Sequence, residues 1–247
     1  MPKFFVKNNQ IKEQYIEIIN DDINHIKNVL RLNKEDYIQI CNKDTGKNYM
    51  AKIEDIKQDV IKCKIEEILI ENNESNVCIH IYQGLPKADK MELIIQKCTE
   101  LGVKKIIPVE MERSIVKLDS KDKQKKIERW QKIAEVASKQ SGRDKILQVE
   151  KVLNFENIKD MIEKYDAFIV TYEKEEINTL KNELIKLKSI ENPKVAVLIG
   201  PEGGIDIKEI EKLNNTNAKI VTLGKRILRT ETVALIVSGI INYELEN

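Results

Sequence analysis

The chain is poor in the residues that most often announce metal chemistry or secretion. Its 247 residues include 2 histidines, 4 cysteines, 5 prolines, 9 glycines and 1 tryptophan. The cysteines stand at 41, 63, 78 and 98, with no Cys-x-x-Cys, and the histidines are His25 and His80. This excludes a zinc pattern and the dense disulfide framework of a small secreted domain. Pro and Gly are too sparse for a collagen-like or low-complexity chain. Long apolar runs are lacking: the stretch 233–241 is half a membrane span, broken by Ser238 and Gly239. The start, Met1-Pro2-Lys3-Phe4-Phe5-Val6-Lys7, is too short and polar for a signal peptide. A cytoplasmic protein with reduced thiols is expected. A charge excess is lacking as well. At a formal net charge of +1, no global field draws the chain to nucleic acid or a membrane.

A hydrophobic fraction of 41% excludes a disordered chain, and 34% charged residues give a well-solvated surface. The length fits one large domain or two smaller ones. Charge is uneven: residues 121–145 hold 9 Lys/Arg against 4 acids, while residues 1–72 hold 12 against 13. A local basic patch therefore sits in a near-neutral protein.

Polar and apolar residues alternate at 3–6, 37–41, 49–53 and 60–65, the period of half-buried strands. Residues 42–46 read as a turn. Ile23, Ile26 and Leu30 predict a helix over 21–31, capped by Asp21 or Asp22. Together these suggest a small β-barrel with one helix. The polar stretch 71–76 reads as a linker, with the domain boundary at 72/73. Beyond it, strands are expected at 77–85, 105–109, 167–172, 194–199 and 218–223. They alternate with helices at 90–101, 122–141, 175–188, 206–215 and 231–245. Such alternation implies an α/β fold with a parallel sheet covered by helices on both faces.

Three of the scarce glycines fall in Gly200-Pro201-Glu202-Gly203-Gly204, at the end of an apolar strand. Glycine concentrated there marks a backbone that bends sharply or approaches something closely. Parallel α/β folds bind ligands at this rim. Asp206 with Glu209 reads as a capping-box-like helix start. The spacing fits neither a dinucleotide fingerprint nor a phosphate-binding P-loop, and an ordinary tight turn reads equally well. A second strand end, Leu223–Thr232, has Thr230 as a candidate N-cap and crowds Lys225, Arg226, Arg229 and Glu231 on the same rim. It is either a solvated loop or a phosphate- or carboxylate-binding one, and Glu231 either complements the helix dipole or serves a site. Residues 138–143 close the basic helix that holds Trp130: Gly142 is a C-cap, or the segment is a phosphate-contacting edge. His25, Lys27 and Arg31, like Lys87 and Lys90 after the strand at 77–85, read as surface residues or as phosphate contacts.

Taken together, Leu85-Pro86-Lys87, residues 97–103, Arg129-Trp130, residues 140–143, residues 199–204 and residues 223–232 resemble one family. It is the RsmE type of the SPOUT class, ribosomal small-subunit RNA methyltransferases that act on N3 of a uridine. The resemblance covers essentially the whole chain, including His-x-x-x-Val-Leu-Arg at 25–31. Gly-Pro-Glu-Gly-Gly followed by Leu-Gly-x-x-Ile-Leu-Arg-x-Glu-Thr is specific to that family. Val233 departs from it, standing where an alanine commonly follows.

The resemblance implies a PUA-like RNA-binding β-barrel over 1–72 and a SPOUT methyltransferase domain over 73–247. The second would carry a deep C-terminal trefoil knot, which periodicity cannot show. It further implies a homodimer with its site near the subunit interface, S-adenosylmethionine as cofactor, and 16S ribosomal RNA of the small subunit as substrate. No metal and no membrane are implied. Matched residue by residue, Leu198, Ile199, Gly200, Gly203, Gly204, Leu223, Gly224, Ile227 and Leu228 would form the cofactor pocket, glycine sparing room for a bent cofactor. Arg229 would hold the uridine or a neighbouring phosphate. Glu202 and Glu231 would orient that arginine or accept the N3 proton, since an imide nitrogen must lose its proton but needs no covalent cysteine adduct. His25, Lys27, Arg31, Lys87, Arg129 and Arg143 would contact RNA. Two readings compete: a related SPOUT enzyme acting on transfer RNA or a ribose 2′-hydroxyl, and a non-catalytic RNA-binding protein.

Overall fold

The computed structural model describes residues 1–70 and 73–246, so Glu71 and Asn72 of the expected linker lie outside the described residues. The chain forms two compact units. One joins residues 1–74 with Ser138–Ile146; the other joins Ser75–Ala137 with residues 147–247.

In the first unit β1 (Lys3–Val6), β2 (Tyr15–Ile18), β3 (Tyr37–Asn42), β4 (Asn48–Ile56) and β5 (Ile61–Leu69) form one sheet in the order β1-β3-β4-β5-β2. β1 runs parallel to β3, and the other pairs are antiparallel. β2 was not expected, although Tyr15-Ile16-Glu17-Ile18 alternates and buries both isoleucines. Register shifts at Met50/Ala51 and Ile53/Asp55 bend β4. The core holds Phe4, Ile16, Ile26, Ile38, Ile40, Ile53 and Ile61. Each fully buried isoleucine contributes about 1.5–3 kcal/mol.

The helix expected over 21–31 is shorter and differently wound. α1 (Asp21–Asn24) follows Asn20, whose backbone is at φ 62 and whose side chain makes no capping bond. Neither Asp21 nor Asp22 is the cap. His25–Val29 continues as a π turn, closed by the Leu30 amide donating to the His25 carbonyl at 2.9 Å. The wider turn rotates later residues off the core face. Ile23 and Ile26 stay buried while Leu30 is exposed. Arg31, at φ 53, ends the segment as the Leu32 amide reaches the Ile26 carbonyl at 3.0 Å.

Residues 138–146 join this unit through buried charge, so a single cut at 72/73 does not describe the chain. The Asp144 carboxylate pairs with Lys3 and accepts from Asn48 Nδ2 at 2.7 Å and the Asn73 amide at 2.6 Å. Glu74 accepts from Arg143 Nη2 at 2.8 Å and from the Asp144 and Lys145 amides, both at 3.1 Å.

The second unit contains β6 (Cys78–Gly84), α2 (Lys90–Glu100), β7 (Lys105–Glu110), α3 (Ser120–Gln140, its last three residues in the first unit), β8 (Gln148–Val149) and β9 (Leu153–Asn154). It continues with α4 (Lys159–Ile162), β10 (Ala167–Thr171), α5 (Leu180–Leu187), β11 (Lys194–Ile199), α6 (Ile207–Leu213), β12 (Lys219–Val221) and α7 (Thr230–Leu245). All strand pairs are parallel, in the order β12-β10-β11-β6-β7-β8, with β9 also on β7. On β11, Val195, Val197 and Ile199 enter the core that α2, α5 and α7 cover, while Ala196 and Leu198 enter the one beneath α4 and α6. Burial on both faces is why this strand reads as an unbroken apolar run.

Two boundaries moved for local reasons. α5 starts at Leu180 because the Glu175 carboxylate takes the Ile177 and Asn178 amides at 2.8 and 2.9 Å, and Thr179 then caps the helix. Such side-chain turns compete with helix. Thr230 is the first residue of α7 rather than its cap, a place Arg229 takes with extended backbone and no capping bond. The Thr230 hydroxyl donates to the Gly200 carbonyl at 2.7 Å and accepts from Gln83 Nε2 at 2.8 Å. That relay fixes the start of α7 to the ends of β11 and β6. β8, β9 and α4 are too short to show a period and were not foreseen.

Candidate active site

The chain leaves β11 through residues 200–204 and enters α6. A Cβ on Gly200 would lie 2.9 Å from the Gly204 carbonyl carbon and 3.0 Å from the Ile205 amide nitrogen. Gly204 sits at φ +72, with Glu173 Oε1 2.8 Å from where its Cβ would be. Here the glycines are demanded first by the loop's own folding, not by clearance for a ligand. The Gly204 amide donates to the Pro201 carbonyl at 2.9 Å. Asp206 and Glu209 form the expected capping box at α6. Arg113, in the turn after β7, clamps the outside: Nη1 donates to the Gly203 carbonyl at 3.0 Å and Nε to Asp206 at 3.1 Å. The Lys208 amide, with Arg113 beside it, holds the Asp206 carboxyl below its usual value. Burial pushes the Glu209 carboxyl up, against the Glu112 and Asp206 amides it accepts.

The second loop, 223–229, leaves β12. Gly224 stands at φ +107 and its amide donates to Thr222 Oγ1 at 3.2 Å. Lys225, Arg226 and Arg229 are exposed, and Ile227 is 86% exposed. Among the described residues these three cations make no ion pair or side-chain hydrogen bond.

Both loops and the segment after β10 line one cavity of about 1120 Å³. Ile199, Gly200, Glu202, Gly203, Gly204, Leu223, Gly224, Ile227, Leu228 and Arg229 all line it. Leu198 does not; it is fully buried in the sheet, its carbonyl accepting from Thr171 Oγ1 at 3.2 Å. The third wall, with Glu173, Glu175 and Glu176, was not anticipated. β10 lies between β11 and β12 in the sheet but precedes both in the chain, so only the strand order reveals it.

Glu202 and Glu231 do not reach Arg229. Both pair with Lys90, whose Nζ lies 3.1 Å from Glu202 Oε1 and 3.2 Å from Glu231 Oε2. The Glu231 contact is an ion pair without hydrogen-bond alignment. Glu202 also accepts from the Lys87 amide at 3.0 Å. Burial works against the charged Glu202, but its own amide, the Lys87 amide and Lys90 together hold its carboxyl below the ordinary value.

The expected RNA contacts divide. His25, Lys27 and Arg31 are exposed around the π turn of the first unit, and Lys87 is exposed in the second. Arg129 is exposed but paired with Glu92 at 2.8 Å. Arg143 is buried against Glu74 and spends its charge inside the first unit, so it offers no surface for phosphate. Trp130 is a core residue.

Burial pushes the Cys41, Cys63 and Cys98 thiols up to about 11, 12 and 12, far from the thiolate form a nucleophile needs. Among the described residues, no group of three or more His, Cys, Asp or Glu side chains is placed to hold a metal ion. None of their helices is long and apolar enough to cross a membrane.

Residues 73–242 match the family model of the RNA methyltransferase domain, and residues 18–67 that of the RNA methyltransferase PUA domain. Ribosomal RNA small subunit methyltransferase E of Bacillus subtilis (strain 168) is 36% identical, with 100% of this chain and 98% of that protein aligned. The protein of the same name from Mesomycoplasma hyopneumoniae (strain 232) is 30% identical over 95% of this chain and 96% of its own length. The crystal structure of the Neisseria gonorrhoeae protein of that name, bound to S-adenosyl methionine, superposes with a TM-score of 0.86 at 28% identity, covering 99% of this chain and 98% of that one. Fold, rim loops and full-length similarity agree: the chain belongs to the ribosomal RNA small subunit methyltransferase E family.

Proposed function

We propose that this protein transfers a methyl group from S-adenosylmethionine to N3 of a uridine in small-subunit (16S) ribosomal RNA. The observation that carries the reading is the single cavity where the glycine loop and the loop ending in Arg229 meet, in a chain with full-length relatives of that name.

The donor set suits the cofactor. Ile199, Leu223 and Leu228 give apolar lining beside the main chain of two loops, as a nucleoside requires. Glu173 and Glu176 on the third wall stand ready for its ammonium. Bound there, S-adenosylmethionine supplies an electrophilic methyl group on a sulfonium, with no metal required. Arg229, free of carboxylate partners, would set a permanent positive charge beside the uracil imide, so that the N3 proton passes to solvent water and the anion left at N3 is stabilised. Glu202, held ionised by Lys90 and two amides, is a poor base. The anion at N3 therefore owes more to Arg229 than to Glu202.

His25, Lys27 and Arg31 supply phosphate contacts from the first unit, and Lys87 from the second. Ile236, Ile240 and Tyr243 lie along α7 and are 38%, 38% and 87% exposed, an apolar stripe that a second copy of the chain would cover in a homodimer. The same reading includes the deep C-terminal knot and action in the cytoplasm. The test is incubation with methyl-labelled S-adenosylmethionine and either naked 16S RNA or isolated small subunits, followed by nucleoside mass spectrometry. Label in 3-methyluridine is expected. Label in a 2′-O-methyl nucleoside or only in transfer RNA rejects the reading, and so does absence of label.

A further inference from the structure

Lys90 is the first residue of α2 and the meeting point of three segments. Its ammonium sits between Glu202 of the glycine loop and Glu231 in the first turn of α7, at 3.1 and 3.2 Å. The approach to it is strained: Ala88, two residues earlier, has φ +52, in the left-handed region that L-residues rarely adopt. In the same turn the Lys87 amide donates to the Glu202 carboxylate as well, at 3.0 Å to Oε1 and 3.3 Å to Oε2. Glu231 Oε2 is buried and has no hydrogen-bond donor, so the Lys90 charge is its compensation. Without that charge the Glu231 carboxylate would face that of Glu202 with nothing to offset it, and like charges at such range repel. The glycine loop and the start of α7 would be pushed apart. Arg229 is the residue on which α7 begins.

We propose that Lys90 is a positioning residue for methyl transfer: its ammonium joins Glu202 to Glu231 and so sets where Arg229 stands relative to the glycine loop. The inference rests on the proposed function. It does not make Lys90 a substrate contact, because its charge is already shared between two carboxylates.

The experiment compares K90M, K90R and the double variant K90M/E231Q with wild type. It measures S-adenosylmethionine affinity by calorimetry, kcat and KM for RNA methylation, and folding by circular dichroism. K90M should lower kcat about 10- to 100-fold, the range expected for a misplacement of about an ångström. Cofactor affinity should change less than about threefold, or about 0.7 kcal/mol. K90R, which keeps a cation between the carboxylates, should restore most of kcat, and K90M/E231Q should recover part of what K90M loses because it removes the repulsion. Equal loss in K90R and K90M overturns the inference, as does a loss confined to KM for RNA or an E231Q change that fails to suppress K90M. An active wild type with an equally active K90M overturns this inference alone. A wild type that methylates no RNA overturns the proposed function along with it.

Discussion

The glycine loop at 200–204 is bonded on every side, while the loop at 223–229 has its charged side chains in solvent. Arg113, the Asp206–Glu209 capping box, the Lys87 amide and Lys90 all hold the first. The second has the Gly224–Thr222 bond at its start and the Thr230–Gly200 bond just beyond its end. Both line one cavity. The difference assigns roles: a loop already in its final shape suits a cofactor that binds the same way each turnover, because preorganisation lowers the ordering cost of binding. Unpaired cations suit a polyanion that arrives and leaves.

Cofactor affinity is the quantity that breaks or sharpens this contrast. Gly200→Ala should have the largest effect. Its methyl group meets backbone, and overpacking of that kind costs about 1–3 kcal/mol. Calorimetry should show S-adenosylmethionine affinity down by ten- to a hundredfold (about 1.4–2.8 kcal/mol); near-normal affinity would mean the loop is not rigid. Asp206→Ala removes the α6 cap and one Arg113 anchor, and caps are worth about 1 kcal/mol. About a fivefold weaker affinity is expected in the same measurement.

Glu202→Gln is expected to act through pH. The folded carboxyl is held below its ordinary value of 4.5, so its contribution is present above that pH and is lost as pH falls further. Acid-unfolding curves of wild type and variant should therefore converge at low pH; a constant offset would show that Glu202 acts through packing instead. Replacing Lys225 and Arg226 together with alanine should leave cofactor affinity unchanged. The slope of log RNA affinity against log salt should become shallower by roughly 1.4, the value for two contacts on single-stranded RNA. An unchanged slope would remove both residues from the RNA surface.

The sequence showed the apolar run of Val195–Ile199, the main strands and helices of the second unit and both rim loops, because these depend on local pattern and turn chemistry. It did not show what depends on neighbours distant in the chain. The 3.6 period at Ile23, Ile26 and Leu30 carries no mark of the inserted π-turn residue, so the helix was drawn too long. Arg143 in a basic stretch looks like a phosphate ligand until Glu74, 69 residues earlier, is found against it. Leu198 enters the expected pocket only through the family resemblance, and in the sheet its side chain lies on the face opposite that of Ile199. Glu202 and Glu231 were expected to serve Arg229, but the helix start at Lys90 reaches them first. Of the two readings of the clustered glycines, a sharp bend or a close approach to something else, Gly200 answers to the first, since its own chain crowds it.

The division of labour between the loops is tested most directly by Arg229→Ala, with cofactor affinity and methyl transfer measured on the same preparation. S-adenosylmethionine should bind with wild-type affinity while methyl transfer to RNA falls by about a hundredfold or more, the scale for removing one preorganised charge-stabilising group. Normal turnover, or loss of cofactor affinity in step with activity, would contradict the account.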